Sequence, residues 1–144
     1  MRCRLYLLTT RGEKPNVTAA WAIADSAVRL VPPSAQPLER LTENMLVAVV
    51  LARASKEGHR ALADSARSVA RHSIGDPTID QLRELAFFGS FVYAQLGDTD
   101  EAIKLLKEYL AANPQRVQSM RNDPGWWFKD IQGDPRFRRL LALN

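Results

Sequence analysis

Two histidines and one cysteine are the side chains of this sequence best suited to metal binding or nucleophilic chemistry, and their spacing favours neither. His59 and His72 are thirteen residues apart on one predicted helix, about 20 Å along its axis, so they cannot share a metal ion. Cys3 is distant from both, and the sequence has no His-x-x-x-His pair, no Cys-x-x-Cys pair and no phosphate-binding glycine loop. We therefore predict no catalytic residues, no metal site and no cofactor, and we expect the chain not to be an enzyme.

A row of basic side chains is a second candidate, because it could bind phosphate groups. Arg60, Arg67 and Arg71 fall on one face of a predicted helix, at i, i+7 and i+11. Asp64 lies on the same face and partly neutralises it. The formal net charge is +4, yet residues 78–114 carry six acidic and three basic side chains, unlike a surface that is basic along its whole length. Nucleic-acid binding through basic surface residues is thus the alternative function, and we expect a solvated face here.

The length and composition are those of one soluble domain. The chain has 144 residues, of which 46% are hydrophobic and 25% charged. Cys3 is the single cysteine, so no internal disulfide can form. Residues 1–8 begin like a signal peptide, but their apolar run is too short for one, and no window approaches the about 18 apolar residues of a membrane span. We expect a cytoplasmic protein without a membrane partner.

A repeat with a spacing of 39 residues organises the chain. Segment 24–29 recurs at 63–68, and a third copy at 102–107 keeps the small first residue. Each copy lies in a helical pattern that ends at a proline-marked break. A fixed period of about 20–50 residues is typical of stacked units that bury their apolar faces against their neighbours. We therefore predict one domain made of three units and a C-terminal cap, at residues 1–36, 37–77, 78–114 and 115–144.

Helical patterns fill these units, and no strand pattern is present. Pro37 suits the first turn of a helix, and Gly58 and Gly97 suit the left-handed residue that follows one. Asp98, with Glu101 three residues later, forms a variant of the capping box. These signals predict helices at about 16–31, 37–57, 59–73 and 78–96, and one that follows Asp98 and runs to about 112.

Tyr93, Gly97, Ala102, Leu106 and Pro114 fall at the spacing of a known motif. A tyrosine on the first helix, a glycine at the turn, a small residue where the helices cross, a bulky residue four positions later and a closing proline resemble the tetratricopeptide repeat. Residues 41–77 resemble a weaker, lengthened copy. The resemblance implies an all-α fold, a right-handed superhelical stack of about three antiparallel helix pairs with a short C-terminal capping segment.

The C-terminal segment resembles a second pattern of the same family. Residues 134–137, Asp-Pro-Arg-Phe, look like the segment that often closes tetratricopeptide arrays in large bacterial signalling proteins. There the array follows a protein kinase, a nucleotide cyclase or a transcriptional regulator. Asp134 is suited to cap a helix whose first turn holds Pro135. We expect apolar side chains of this segment, Trp126, Trp127 and Phe137 among them, to cover the open end of the stack.

In this family the first helix of each pair usually lines a concave, partner-binding surface. The members that clamp a C-terminal carboxylate have lysine and asparagine where this chain has Phe87 and Phe91. The resemblance therefore implies an apolar groove that takes an amphipathic helix or an extended apolar segment. The other interpretation is that both rings pack under the C-terminal segment or a neighbouring helix. The implied partner-binding residues are Met45, Ser55, Lys56, Glu84, Phe87, Phe91 and Gln95.

These patterns favour a non-catalytic protein–protein interaction module that binds a partner segment or helix in the concave groove. It is either free-standing or the C-terminal part of a bacterial signalling protein. The nucleic-acid-binding helical repeat is the less favoured alternative, because the concave positions offer few amides or arginines to read base edges. A third hypothesis is self-association through the N-terminal end, which has apolar side chains at Leu5, Tyr6, Leu7, Leu8 and Trp21.

Overall fold

A computed structural model of the chain describes residues 17–30 and 32–142, and gives the backbone alone for residues 17, 21, 24, 27, 28 and 126. The described residues form helices, turns and loops without a strand, which confirms the predicted all-α class. None of their helices is long and apolar enough to cross a membrane. The α-helices are α1 (Val17–Arg29), α2 (Pro37–Lys56), α3 (Ala63–Ser73), α4 (Glu84–Leu96), α5 (Thr99–Ala112), α6 (Arg116–Asn122) and α7 (Pro135–Leu140), with short 3₁₀ helices at Arg60–Leu62 and Trp126–Phe128.

Local signals set several helix boundaries where the sequence predicts them. α2 begins at Pro37. Proline suits this position because a backbone N–H in the first helical turn would have no partner within the helix. Gly58 and Gly97 follow α2 and α4 with φ angles of +114° and +80°, which residues with a Cβ rarely adopt. The backbone N–H of Asp98 donates to the carbonyl of Tyr93 at 2.9 Å and closes the end of α4. The predicted ends of α2 and α4 therefore agree with the structure to within one residue.

The helix predicted to begin near residue 78 begins instead at Glu84. Asp80 is buried, and its carboxylate accepts hydrogen bonds from the backbone N–H groups of Glu84 at 3.0 Å and Leu85 at 2.9 Å. These N–H groups belong to the first turn of α4 and have no partner within the helix, so the carboxylate fixes where the helix starts. Residues 74–83 therefore form a connecting loop, in which Arg83 has a left-handed backbone with φ of 53°.

Helix α2 lies at the centre of the described helices. It packs against α1, α3 and α4, and α4 packs in turn against α3 and α5. One core joins α2 to α5 with the C-terminal segment, while Ala20 of α1 packs with Leu46 and Val50 in a second, smaller cluster. Burial of each large apolar side chain in the main core contributes about 1.5–3 kcal/mol. Its largest fully buried side chains include Met45, Leu85, Leu106, Phe128 and Phe137.

The turn between α4 and α5 departs from the predicted capping box. Asp98 precedes α5, but its side chain makes no capping hydrogen bond. Its carboxylate instead accepts hydrogen bonds from Nε of Arg67 at 2.6 Å and from Nη2 at 3.1 Å. A two-point arginine–carboxylate pair is stronger than a neutral hydrogen bond. A contact between residues 31 positions apart in sequence has thus displaced the local cap.

The C-terminal segment joins the core through aromatic rings and ends in a capped helix. The carboxylate of Asp134 accepts the backbone N–H of Arg136 at 2.8 Å and so caps α7, as predicted. Phe137 is buried, and its ring centroid lies 5.8 Å from that of Phe128. The residues that follow α6 therefore pack as part of the same core as α2 to α5.

Acid is expected to loosen α7 through Asp134. Hydrogen bonds from the side chain and the backbone N–H of Arg136 lower the pKa of Asp134 from 3.8 to about 2. A carboxyl group whose pKa is lowered by folding contributes stability above its unfolded pKa and loses it as the pH falls through the folded value. The stability difference between wild type and Asp134→Asn should therefore be constant above about pH 5 and shrink between about pH 4 and pH 2. Urea unfolding at stepped pH measures it, and a difference that stays constant to pH 2 would contradict this role of the carboxylate.

Candidate functional site

Two rings predicted to line the concave groove lie beneath the chain's own C-terminal segment. Phe91 is buried, and its ring centroid lies 5.8 Å from that of Trp127. Phe87 is half-buried, 6.4 Å from the ring of Trp127 and 5.9 Å from the ring of Phe128. These contacts agree with the second interpretation of the sequence, in which both rings pack under the C-terminal segment, and not with rings that line an open surface. Edge-on aromatic packing with the segment after α6 stabilises them more than exposure to water would.

Polar contacts fix the same segment in place. Gln95 is buried, and its Nε2 donates to the carbonyl of Trp127 at 3.2 Å. Its Oε1 accepts a hydrogen bond from Nη1 of Arg53 at 3.3 Å. Lys56 forms an ion pair with Asp130. Four of the seven predicted partner-binding residues therefore contact residues 127–130 of the chain itself. They are Lys56, Phe87, Phe91 and Gln95.

The other predicted binding residues lie away from this contact. Met45 is fully buried in the core, so it offers no surface to a partner. Ser55 is half-buried in the last turn of α2, and Glu84 is exposed in the first turn of α4. The side chains of Trp21 and Trp126 and the N-terminal residues 5–8, named for the cap and for self-association, lie outside the described part of the chain.

The residues that carry the repeat resemblance lie along α4, α5 and the turn between them. Tyr93 and Leu106 are buried, and Ala102 occupies a position with no exposed surface. Burial raises the pKa of the Tyr93 phenol. Gly97 has the left-handed backbone of the turn, and Pro114 is exposed after the end of α5. The buried members of this set, Tyr93, Ala102 and Leu106, therefore serve the packing of α5 on α4.

Arg67, from the predicted basic row, and Arg136, from the C-terminal segment, are paired with carboxylates of the chain. Arg67 hydrogen-bonds to Asp98 and also to Asp64 at 3.0 Å, and the bond to Asp98 raises the pKa of Arg67. Arg136 forms an ion pair with Asp100 at 2.7 Å. A guanidinium group in such a pair loses that contact when it turns to a phosphate group. The pairing therefore weakens both arginines as phosphate ligands.

The histidines and acidic residues do not form a metal site in the part of the chain that the structure describes. No three His, Cys, Asp or Glu side chains within residues 17–30 and 32–142 come close enough together to hold an ion. His72 makes a hydrogen bond of 2.7 Å to the carbonyl of Ser68 in its own helix.

An open apolar groove lies where loop 74–83 meets the N-terminal ends of α2 and α4. Its volume is about 560 Å³. Leu82 is 58% exposed there, and Ile79 and Leu38 are each 38% exposed. We call it the loop groove, and its lining includes Leu38, Thr42, Ile79, Leu82, Glu84 and Phe88.

Hydrogen bonds hold the backbone of the loop beside the exposed leucine. Arg83 donates from Nη1 to the carbonyl of Gly75 at 2.9 Å and from Nη2 to Glu108 at 2.7 Å. Asn113 is buried, and its Nδ2 donates to the carbonyl of Leu82 at 2.7 Å. The left-handed backbone of Arg83 costs on the order of 1–3 kcal/mol, and these contacts offset that cost. Leu82 is thus exposed on a backbone that these hydrogen bonds hold in place.

The sequence analysis missed the loop groove because it placed Ile79 and Leu82 inside a helix. Their i, i+3 spacing is that of one helical face, and a helical face is expected to be buried. The missed signal is Asp80, an acidic residue shortly before the apolar run that begins at Leu85. Aspartate in that place is typical of a helix start.

Comparisons with protein-family models, with curated proteins and with solved structures give no match. The function of the loop groove is therefore inferred from its own geometry.

Proposed function

We propose that this chain is a non-catalytic interaction module that binds an apolar segment of another protein in the loop groove. The observation that carries the proposal is the exposure of Leu82 and Ile79 on a loop whose backbone is held by buried hydrogen bonds. In this proposal the helices form a right-handed superhelical stack of about three antiparallel pairs, like tetratricopeptide repeats. The module is either free-standing or the C-terminal part of a bacterial signalling protein.

The exposed apolar side chains give little to the folding of the loop. The hydrogen bonds that hold it come from the main chain and from Asp80, Arg83 and Asn113, and polar residues at positions 79 and 82 would leave them intact. Removing apolar surface from water is worth about 25 cal/mol per Å². Contiguous apolar surface left in water is typical of interaction sites. We therefore infer that a partner buries the apolar surface that the fold leaves exposed at Leu82 and Ile79.

The fixed backbone makes the loop groove suited to specific binding. A surface that is already ordered loses less conformational entropy when a partner is bound. The groove lies between the first turns of two helices, with apolar side chains at Leu38 and Phe88 facing the loop residues. This shape fits one face of an amphipathic helix or an extended apolar segment.

Two polar groups of the loop groove, the carboxylate of Asp80 and the hydroxyl of Thr42, are engaged with the chain itself, which favours binding over chemistry. Both carboxylate oxygens of Asp80 accept backbone N–H groups of α4. The hydroxyl of Thr42 donates to the carbonyl of Leu38 at 2.7 Å. A catalytic nucleophile needs a base within hydrogen-bond reach. These groups are instead committed to helix geometry.

Replacing the exposed leucine of the groove is expected to remove the partner. Leu82→Gln substitutes a polar side chain of similar length at an exposed position, so it should leave the fold intact while lowering partner recovery at least about tenfold. The matched control is Leu30→Gln, because Leu30 is 70% exposed and does not line the groove. The measurement is affinity capture on the immobilised full chain from a nuclease-treated lysate of the encoding organism, with bound proteins quantified by mass spectrometry.

Partner recovery is compared on wild type, Leu30→Gln and Leu82→Gln. The proposal predicts one protein recovered equally on wild type and Leu30→Gln and lost on Leu82→Gln, with matching circular dichroism for all three. Equal recovery on all three chains would place the interface elsewhere. Recovery of nucleic acid in the untreated lysate, released by salt, would favour the basic-surface alternative, and recovery of a second copy of this chain would favour self-association.

A further inference from the structure

The charged side chains that line the loop groove are both acidic. They are Asp80 and Glu84, and no lysine or arginine is among the described lining residues. The chain as a whole has a formal net charge of +4. The groove lining is therefore acidic, whereas the chain as a whole is basic.

The basic residues near the groove are engaged with other parts of the chain. Arg40, two residues after the start of the lining, donates from Nε to the carbonyl of Ala35 at 3.2 Å. The guanidinium group of Arg83 donates to the carbonyl of Gly75 and to the carboxylate of Glu108. Arg116 donates from Nε to the hydroxyl of Tyr109 at 3.2 Å. Arg40 and Arg83 are thus held by other parts of the chain, while the charge of Arg116 still acts on Glu84.

Glu84 is the acidic side chain of the lining that a partner can meet. The backbone N–H of Glu84 is used by Asp80, while its own side chain is exposed at the groove. Partial burial raises the pKa of the Glu84 carboxyl, the charge of Arg116 offsets part of this, and the charge of Asp80 adds to it. The pKa is raised because burial and Asp80 together disfavour the charged carboxylate more than Arg116 favours it. A further cation, brought by a partner, would stabilise the charged form.

We infer that the partner segment presents a lysine or arginine beside its apolar side chains, so that the cation meets Glu84 while the apolar side chains cover Leu82 and Ile79. This inference rests on the proposed function, because it names the chemistry of the segment that the groove binds. Electrostatic complementarity of this kind adds specificity to contacts whose affinity is mainly apolar. It also distinguishes the partner from an acidic or uncharged apolar segment, which Glu84 disfavours.

Selection from a displayed library of random peptides tests the inference without knowledge of the natural partner. The library is first depleted on immobilised Leu82→Gln chain and then selected on wild-type chain, so that the peptides retained depend on the groove. We expect these peptides to be enriched in lysine or arginine next to apolar residues, relative to the input library. A synthetic copy of one such peptide should bind Glu84→Gln about three- to tenfold more weakly than wild type at low salt, and this ratio should fall at high salt.

The control variant is Glu39→Gln, which removes the same charge next to Leu38 at a residue that does not line the groove. It should change the affinity less than about twofold. Groove-dependent peptides that are neutral or acidic, or affinities that are equal for wild type and Glu84→Gln, would overturn the inference and leave the proposed function in place. A selection that yields no peptide dependent on Leu82 would overturn both.

Discussion

Phe128→Ala is expected to lower the free energy of unfolding by about 3–5 kcal/mol. Phe128 is fully buried, and its ring centroid lies 5.9 Å from that of Phe87 and 5.8 Å from that of Phe137. Alanine would remove the ring and leave a cavity between Phe87 on α4 and Phe137 on α7. A domain of this size has a total stability of about 5–15 kcal/mol, so a large part of it depends on this ring.

Urea unfolding followed by circular dichroism measures this loss, with Phe88→Ala as the matched control. Phe88 is half-buried at the loop groove, and its removal should cost about 1–2 kcal/mol. A stability for Phe128→Ala equal to wild type, or a loss no larger than that of Phe88→Ala, would mean that the C-terminal segment is not part of the core.

Asp80→Ala is expected to lower the free energy of unfolding by about 2 kcal/mol and to weaken binding in the loop groove. The buried carboxylate of Asp80 accepts the backbone N–H groups of Glu84 and Leu85. Without it those donors lose their partner, and the one on Leu85 lies in a buried residue. The loop that carries Leu82 then loses its connection to the start of α4, so the groove is no longer ordered before binding.

The matched control for this prediction is Asp76→Ala. Asp76 is exposed in the same loop, and its carboxylate accepts the backbone N–H of Thr78 at 2.7 Å. Its loss should cost less than about 1 kcal/mol, because water can replace the carboxylate there. Hydrogen exchange gives an independent measurement, in which we expect faster exchange of the Leu85 amide in Asp80→Ala alone. Unchanged exchange at Leu85 would show that the carboxylate does not set the start of α4.

The sequence predicts the parts of this fold that depend on neighbouring residues. Pro37 fixes the start of α2 through the geometry of its own ring, and Gly58 and Gly97 allow left-handed turns that other residues rarely adopt. Asp134 caps α7 from the adjacent position. In each case the cause and its effect lie within one helical turn, so that a single sequence suffices.

Contacts between distant residues decide the features that the sequence does not predict. Asp98 has the right spacing to cap α5, yet Arg67 on α3 takes its carboxylate. Likewise the sequence allows Phe91 to line a groove or to pack under the C-terminal segment, and in the structure Trp127 from beyond α6 covers it. Which of two suitable partners a side chain takes depends on the packing of whole helices, and residue spacing alone does not contain that choice.

The burial of Asp80 determines the candidate site, although its contacts are local, with residues four and five positions ahead. The sequence places residues 78–83 in a helix, where Ile79 and Leu82 would share one face. In the structure the carboxylate lies inside and takes the first N–H groups of α4, so both apolar side chains remain on a loop at the surface. The candidate site therefore depends on the burial of Asp80 and on the apolar surface that Ile79 and Leu82 leave exposed.

The most direct test of the loop groove as a binding site is a methyl NMR titration of the full chain, labelled at leucine and isoleucine, with the captured partner segment. We expect the methyl resonances of Leu38, Ile79 and Leu82 to shift saturably while those of Leu30 remain unchanged. Shifts that spare the groove, and fall at Leu30 or at methyl groups near Trp127 instead, would contradict the proposed function.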